Sequence, residues 1–215
     1  MNNLSFYFLL KLNFMPSNFN ILKEQFGEIK DKKSWLNSSL ILNEEECFSL
    51  IKLTRSKNGK LVYRATRDGF TSQAFHFHCD GKKNTITIIK NHLNYVFGGY
   101  TSVEWRSSDS WITDSNAFIF SLRRNGVSSN RKFFIKENET AIRTRHHYGP
   151  TFGSYDIHIC DQSNITFGSH TIFGKSYNLP EGFKFGEENT NNFLAGNYNK
   201  WLTIEIEVYH IQDLI

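Results

Sequence analysis

From residue 84 onward the chain is a series of short apolar or alternating runs cut by turn residues. The runs are NTITIIK (84–90), NYVFGGYTS (94–102), NAFIFSL (116–122), RKFFIKE (131–137), TAIRTRH (140–146), SYDIHICD (154–161) and WLTIEIEVYH (201–210). β-Branched and aromatic residues fill them, the side chains that pack best on a pleated surface. Twenty phenylalanines and only three prolines fit the same reading. Many short strands and few helices predict a mainly β fold with flanking helices, α+β in class, built as a two-sheet antiparallel β-sandwich. The last run alternates: Leu202, Ile204, Ile206 and Val208 point one way, Thr203, Glu205, Glu207 and Tyr209 the other. The apolar face belongs in the core, and the Glu205–Glu207 row is expected to be solvated. Paired carboxylates do general acid/base work only where something drives their pKa values apart.

Helical signals are confined to two places. In LNEEECFSLIKLTRSKNGK, Asn43 with Glu46 three residues on reads as a capping box, and acidic residues fill the first turn. Lys52 and Arg55 suit the last turn, and Asn58-Gly59 reads as the stop, which predicts a helix over about 44–56. A second, two-turn helix fits between an N-cap at Thr71 or Ser72 and Gly81. KLVYRAT, between them, reads as a strand.

The charge is mild, 25 basic against 21 acidic residues, with no dense focus. The nearest approach to a basic patch is Arg143, Arg145, His146 and His147, with Arg123 and Arg124 earlier, which argues against a nucleic-acid binder. Cys47, Cys79 and Cys160 are widely spaced and odd in number, which suits a reducing compartment. The opening MNNLSFYFLLKLNF has no basic leader region and falls short of the roughly 20 apolar residues of a membrane span. Residues 1–35 are read as an extension and 36–212 as the single main domain.

Two stretches invite a chemical reading. His76-Phe-His78-Cys79-Asp80 is rich in ligand types, but on a helix His76 and His78 stand about 200° apart, leaving only His76 and Cys79 as neighbours. Two ligands do not make a zinc site, so no metal is expected, with Phe75 and Cys79 packing inward and His76 bonding locally. Asp156, His158 and Cys160 alternate onto one face of a strand like a triad, yet their roots lie about 6.5–7 Å apart and parallel, too far for base and nucleophile to meet. No phosphate-loop pattern is present, and no cofactor is expected.

LVYRATRDGF, FHFHCDGKKNTITIIK, VFGGYTSVEW, TDSNAFIFSL, YGPTFGSYDIHI, GKSYNLP and FLAGNYNKWLTIEIEVY occur in that order from about Ser38 to Tyr209. Together they resemble the TLDc domain, shared by eukaryotic oxidation-resistance proteins and their relatives. Phe75, His76, Cys79 and Asp80 fit that family's Phe-His-x-x-Cys-Asp pattern. The resemblance marks Arg64, Arg67, Asp68, Gly69 and Phe70 in the first motif as structural or partner-binding positions. In the middle motifs it marks Gly98, Gly99, Tyr100 and Trp105, then Asp114, Asn116 and Phe118. It marks Gly149, Pro150, Phe152, Gly153 and Asp156 further on, and Gly196, Glu205 and Glu207 at the end. The glycines are expected in turns, bulges or close backbone approaches.

The resemblance implies a β-sandwich with few helices and an intracellular, cytoplasmic protein tied to oxidative-stress resistance. It implies no catalytic residues. The implied partner is the peripheral sector of the vacuolar proton-pumping ATPase (V-ATPase), reached by a monomer without membrane insertion. The competing expectation is a thiol-dependent redox enzyme or hydrolase using Cys79 or Cys160.

Overall fold

The computed structural model describes residues 38–214, so the extension expected over 1–35 lies outside the described residues. In chain order the elements are α1 (Glu44–Thr54), β1 (Ser56–Arg64), α2 (Ala65–Asp68), α3 (Ser72–Cys79), β2 (Thr85–Asn91), β3 (Val96–Thr101), β4 (Ser110–Ile112), β5 (Phe118–Arg124), β6 (Val127–Phe134), β7 (Ile142–Thr144), β8 (Thr151–Phe152), β9 (Ile157–His158), α4 (Glu188–Asn191) and β10 (Thr203–Leu214). One antiparallel sheet runs β1-β10-β2-β3-β5-β6, the other β4-β7-β8-β9. The two-sheet architecture is the one the strand-rich sequence predicts.

The space between the sheets is filled by Phe75, Ile89, Phe97, Trp105, Ile119, Phe152, Trp201 and Val208, among others. Trp105 is fully buried between Phe75 and Phe152, edge-to-face with ring centroids at 5.1 and 5.5 Å, and its indole N–H donates to Thr85 Oγ1 at 2.9 Å. A second apolar layer covers the opposite face of the large sheet, where Leu50 of α1 meets Ile86, Ile88, Phe120, Tyr209 and Ile211. The large sheet is therefore buried on both faces. This explains why TITIIKN of β2 reads as a nearly continuous apolar run, with all but Lys90 buried.

The capping box is formed: Asn43 Oδ1 accepts from Glu46 N at 2.9 Å, and Glu46 Oε2 from Asn43 N at 3.0 Å. Glu46 is also buried against Arg123 of β5, with contacts of 2.7 and 2.5 Å, so the cap fixes α1 onto the sheet. Asn58-Gly59 does not end the helix. Arg55 takes the left-handed conformation (φ 53°), and the chain enters β1 at Ser56, so Asn58 and Gly59 pair with β10. Thr71 caps α3 as expected, accepting from Ala74 N at 3.2 Å.

Three strand expectations change. SYDIHICD keeps only Ile157–His158 as strand, because Tyr155 takes a positive φ of 76° and the chain turns there. The 140–146 run contracts to Ile142–Thr144, and β4 and β8 were not foreseen. In β10 a register shift between Thr203 and Glu205 leaves Ile204 half-exposed, while Ile206 and Val208 face the core.

Candidate functional site at the β1–α2 corner

Seven of the motif positions, Arg64, Arg67, Asp68, Gly69, Phe70, Glu205 and Glu207, converge where β1 ends, α2 turns and β10 passes alongside. Arg64 closes β1 directly opposite Glu207 in the antiparallel register. Its Nε and Nη2 reach Glu207 Oε1 at 3.0 and 2.7 Å, and Nη2 also donates to the carbonyl of Ser38. Glu207 is completely buried. It further accepts from Leu40 N at 2.8 Å, Ser39 Oγ at 2.6 Å and the Tyr209 hydroxyl at 3.1 Å. Burial, with the Glu207 charge beside it, pushes the Tyr209 hydroxyl well above its ordinary range.

Glu205, 3% exposed, stands two residues before it on the same face. It accepts from Thr66 N at 3.1 Å, Ile206 N at 3.0 Å and the Thr66 hydroxyl. Thr66 N is one of the donors that the start of α2 leaves without an intrahelical partner, so a carboxylate from a distant strand caps this turn. Asp68 closes the other side, taking Arg64 N at 2.9 Å and two Arg67 contacts of 2.7 Å. The bond from Arg67 holds the Asp68 carboxyl below its ordinary range, against burial. Gly69 ends α2 at φ 106°, and its carbonyl accepts the Tyr63 hydroxyl at 2.8 Å. Phe70 packs against the inter-sheet core.

The solvated Glu205–Glu207 row expected from alternation is thus corrected. β10 is an interior strand, paired between β1 and β2, and α2 together with residues 38–40 covers that face. Each carboxylate is surrounded by donors, which occupies the lone pairs a proton-transfer role would use. The corner joins β1, α2, β10 and the segment entering α1. Its chemistry is that of a buried ionic joint.

The ligand-rich stretch resolves as a joint too. Phe75 and Cys79 are buried, and burial pushes the Cys79 thiol well above its ordinary range. His76 bonds Asp80 Oδ1 through Nδ1 at 2.7 Å, while Nε2 lies 2.9 and 3.1 Å from the carbonyls of Arg145 and Tyr148. Its local bond is as expected, but the second nitrogen clamps a loop some 70 residues away, which spacing alone does not reveal.

Asp156, His158 and Cys160 do not share a strand face. Asp156 is buried in the turn before β9 and accepts from Gly174, Ser176 and Tyr177 N at 2.9, 2.9 and 3.2 Å. Burial pushes its carboxyl up to about 6 against the lowering effect of those N–H groups. His158 bonds Thr151 Oγ1 at 3.0 Å, and burial takes its imidazole down to about 3. Cys160 Sγ lies 3.4 Å from Ser169 Oγ and 3.6 Å from the Thr166 carbonyl.

The remaining motif positions are distributed through the framework. Gly98 and Gly99 lie inside β3, where a Cβ would fall 1.9 Å from the Thr87 carbonyl oxygen and 2.6 Å from the Phe152 ring respectively; close approach, rather than a turn, requires them. Tyr100 stacks on Phe118 at 5.2 Å. Asp114 receives Thr101 Oγ1, Ser102 N and Asn116 N at 2.9, 2.6 and 3.0 Å, tying β3 to the entry of β5. Gly149 N pairs with the Ile159 carbonyl at 2.9 Å, and Pro150 leads into β8. Gly153 (φ 65°) and Gly196 (φ 82°) supply turns, against Asp156 and Tyr95. A cleft of about 650 Å³ lies beside Asp114, lined also by Lys136, Glu137 and Glu139. Sequence reasoning missed Thr66, Ser39 and the Leu40 N–H, whose roles depend on a strand more than 130 residues away.

A search of curated proteins returns no match. The family model of the TLDc domain matches residues 35–212, most of the chain and the whole of both sheets up to its last two strand residues. With the motifs in order and the two-sheet architecture around them, the chain belongs to the TLDc domain family.

Proposed function

We propose that this TLDc domain is a non-catalytic intracellular interaction module that binds and regulates the V-ATPase through its peripheral subunits. Oxidative-stress resistance follows downstream of that binding. The domain works as a cytoplasmic monomer, recruited to vacuolar or endolysosomal membranes by its partner rather than by insertion. Among the described residues, no helix is long and apolar enough to cross a membrane. The observation that carries the non-catalytic reading is the saturation of Glu205 and Glu207. The motif charges that most resemble acid/base machinery are spent inside the fold, so the motifs shape a surface instead of a reaction centre.

The thiol-enzyme alternative is weakened at Cys79, whose sulfur is fully buried and whose thiolate is disfavoured by that burial. The test is a pull-down from host lysate with the tagged chain, resolved by mass spectrometry, with a matched peroxide-treated sample. Recovery of peripheral pump subunits is the expected result. Their absence from both samples, with another assembly recovered, rejects the pump as partner.

A further inference from the structure

The basic segment flagged in the sequence folds into something more specific than a charged patch. Trp111 of β4 and Arg143 of β7 are opposite one another in register, and the guanidinium lies over the indole at 4.0 Å. The same guanidinium is 5.5 Å from the Tyr148 ring and 5.6 Å from that of Tyr155. Its Nη1 donates to the Tyr155 hydroxyl at 2.7 Å and its Nη2 to Asp109 at 3.0 Å. Arg145 flanks the group, 3.4 Å from Asp109 and 3.3 Å from the Tyr148 hydroxyl. Two arginines therefore share one aspartate, which leaves positive charge on a face where Trp111 is 47% exposed.

Three features set this group apart from an ordinary solvated face. Arg143 Nε is buried with no hydrogen-bond acceptor among the described residues, a donor that a structural guanidinium would normally have spent. Tyr155 is held at φ 76°, a left-handed conformation that bulky L-residues rarely adopt. That strain is retained at the residue that receives Arg143. Finally, the loop presenting Arg145 and Tyr148 is fastened from below by the His76 imidazole, so the group is held in place before anything binds.

We propose that this Trp111–Arg143–Tyr155 face is a docking site for a short acidic peptide segment of a protein partner. An apolar side chain lies on Trp111, and a carboxylate meets Arg145 and the edge of Arg143. Exposed tryptophan beside arginine and tyrosine is the composition of a protein-binding hot spot. The excess positive charge selects an acidic partner. A nucleic-acid strand fits less well. The tyrosine rings pack edge-to-face with Trp111 and the histidines rather than lying open for base stacking, and the charge is one local focus, not a track. The site stands apart from the pump reading, since the pump can be bound through another face.

The test measures fluorescence anisotropy of a fluorescein-labelled, Glu-rich peptide containing one phenylalanine, at low and moderate salt. Its Gln-for-Glu counterpart and an oligothymidylate serve as controls. Trp111→Ala and Arg145→Glu are compared with the unmodified chain after circular dichroism shows all three folded. Saturable binding is expected, weakened at least about tenfold by either substitution and by the Gln peptide. With unlabelled peptide, acrylamide quenching of the tryptophan emission that Trp111→Ala removes should fall on binding. The proposal is overturned by no binding up to millimolar peptide, by variants that bind as tightly as the unmodified chain, or by an oligothymidylate that binds more tightly and displaces the peptide.

Discussion

Arg64 and Glu207 sit opposite each other at the end of the β1–β10 pair, 2.7 Å apart, with the carboxylate completely buried and the guanidinium nearly so. The pair locks the end of β1 against the strand that arrives from the other end of the chain. It also holds the segment entering α1, because Ser38 and Leu40 bond to the same two side chains. A joint of this kind is stable only while both charges are present.

Replacing Glu207 by Gln leaves Arg64 without its counter-charge and should cost about 3–5 kcal/mol, the usual penalty for breaking a buried pair. Arg64→Gln should cost a similar amount, and the double variant less than the sum of the two. Urea denaturation of the four proteins checks the coupling. Additive losses would mean that the two side chains do not act as a unit.

Gly98→Ala and Gly99→Ala should both destabilise the fold, but unequally. At Gly98 the added methyl meets the backbone carbonyl of Thr87, which cannot step aside without parting β2 from β3. At Gly99 it meets the Phe152 ring, which has some freedom to rotate. Overpacking typically costs about 1–3 kcal/mol, and Gly98→Ala is expected at or beyond the upper end. Thermal melts rank the two, and a Gly98→Ala protein as stable as the parent contradicts the close approach.

His158 makes the fold acid-sensitive. Its folded-state pKa of about 3 lies below the ordinary 6.5, so the folded chain refuses a proton that the unfolded chain accepts. Its contribution is complete above pH 6.5 and is lost as pH falls towards 3, at up to about 1.4 kcal/mol per pH unit. Asp156 works the other way. Its folded value of about 6 lies above the ordinary 3.8, so its contribution is present at low pH and lost as pH rises through 6. Asp156 titrates in both the parent and His158→Gln, so the difference between their stability curves isolates the histidine. That difference should shrink as pH falls from 6.5; a constant difference would show that His158 is not buried neutral.

Cys79 should be almost inert in the native protein. Burial raises its thiol well above neutrality and also closes the approach to the sulfur. Burial likewise pushes Cys47 up to about 11, reinforced by the neighbouring Glu46. Alkylation followed by peptide mapping should find Cys79 unmodified under native conditions and fully modified in denaturant. Fast native labelling at Cys79 would restore the thiol-enzyme reading.

Much of the framework was legible without coordinates. The capping box at Asn43 and Glu46, the Thr71 cap and the β2, β3, β5 and β10 runs rest on contacts within a few residues or on a two-residue period. The local sequence fixes both. The errors fall where local and distant preferences compete. Asn58-Gly59 is a good stop signal, but pairing with β10 holds those residues extended and moves the left-handed cap to Arg55. In SYDIHICD the alternation suggests a strand, yet Asp156 is needed to bind the 174–177 backbone, and the chain turns to place it.

By itself the sequence determined the strand-rich class, the places where helices begin, the family, and the residues that had to be special. Only the tertiary structure decided what those residues do. The period-2 pattern assigns Glu205 and Glu207 to one face, but whether water or protein covers it depends on α2 and residues 38–40. Likewise, Arg143 meets Trp111, Tyr148 and Tyr155 only once β4 and β7 pair and the following loops fold over them. Side-chain periodicity is a local property of the backbone, while burial and ionic pairing are set by segments distant in sequence. That is why the sequence could name the Glu205–Glu207 pair but misjudged its surroundings.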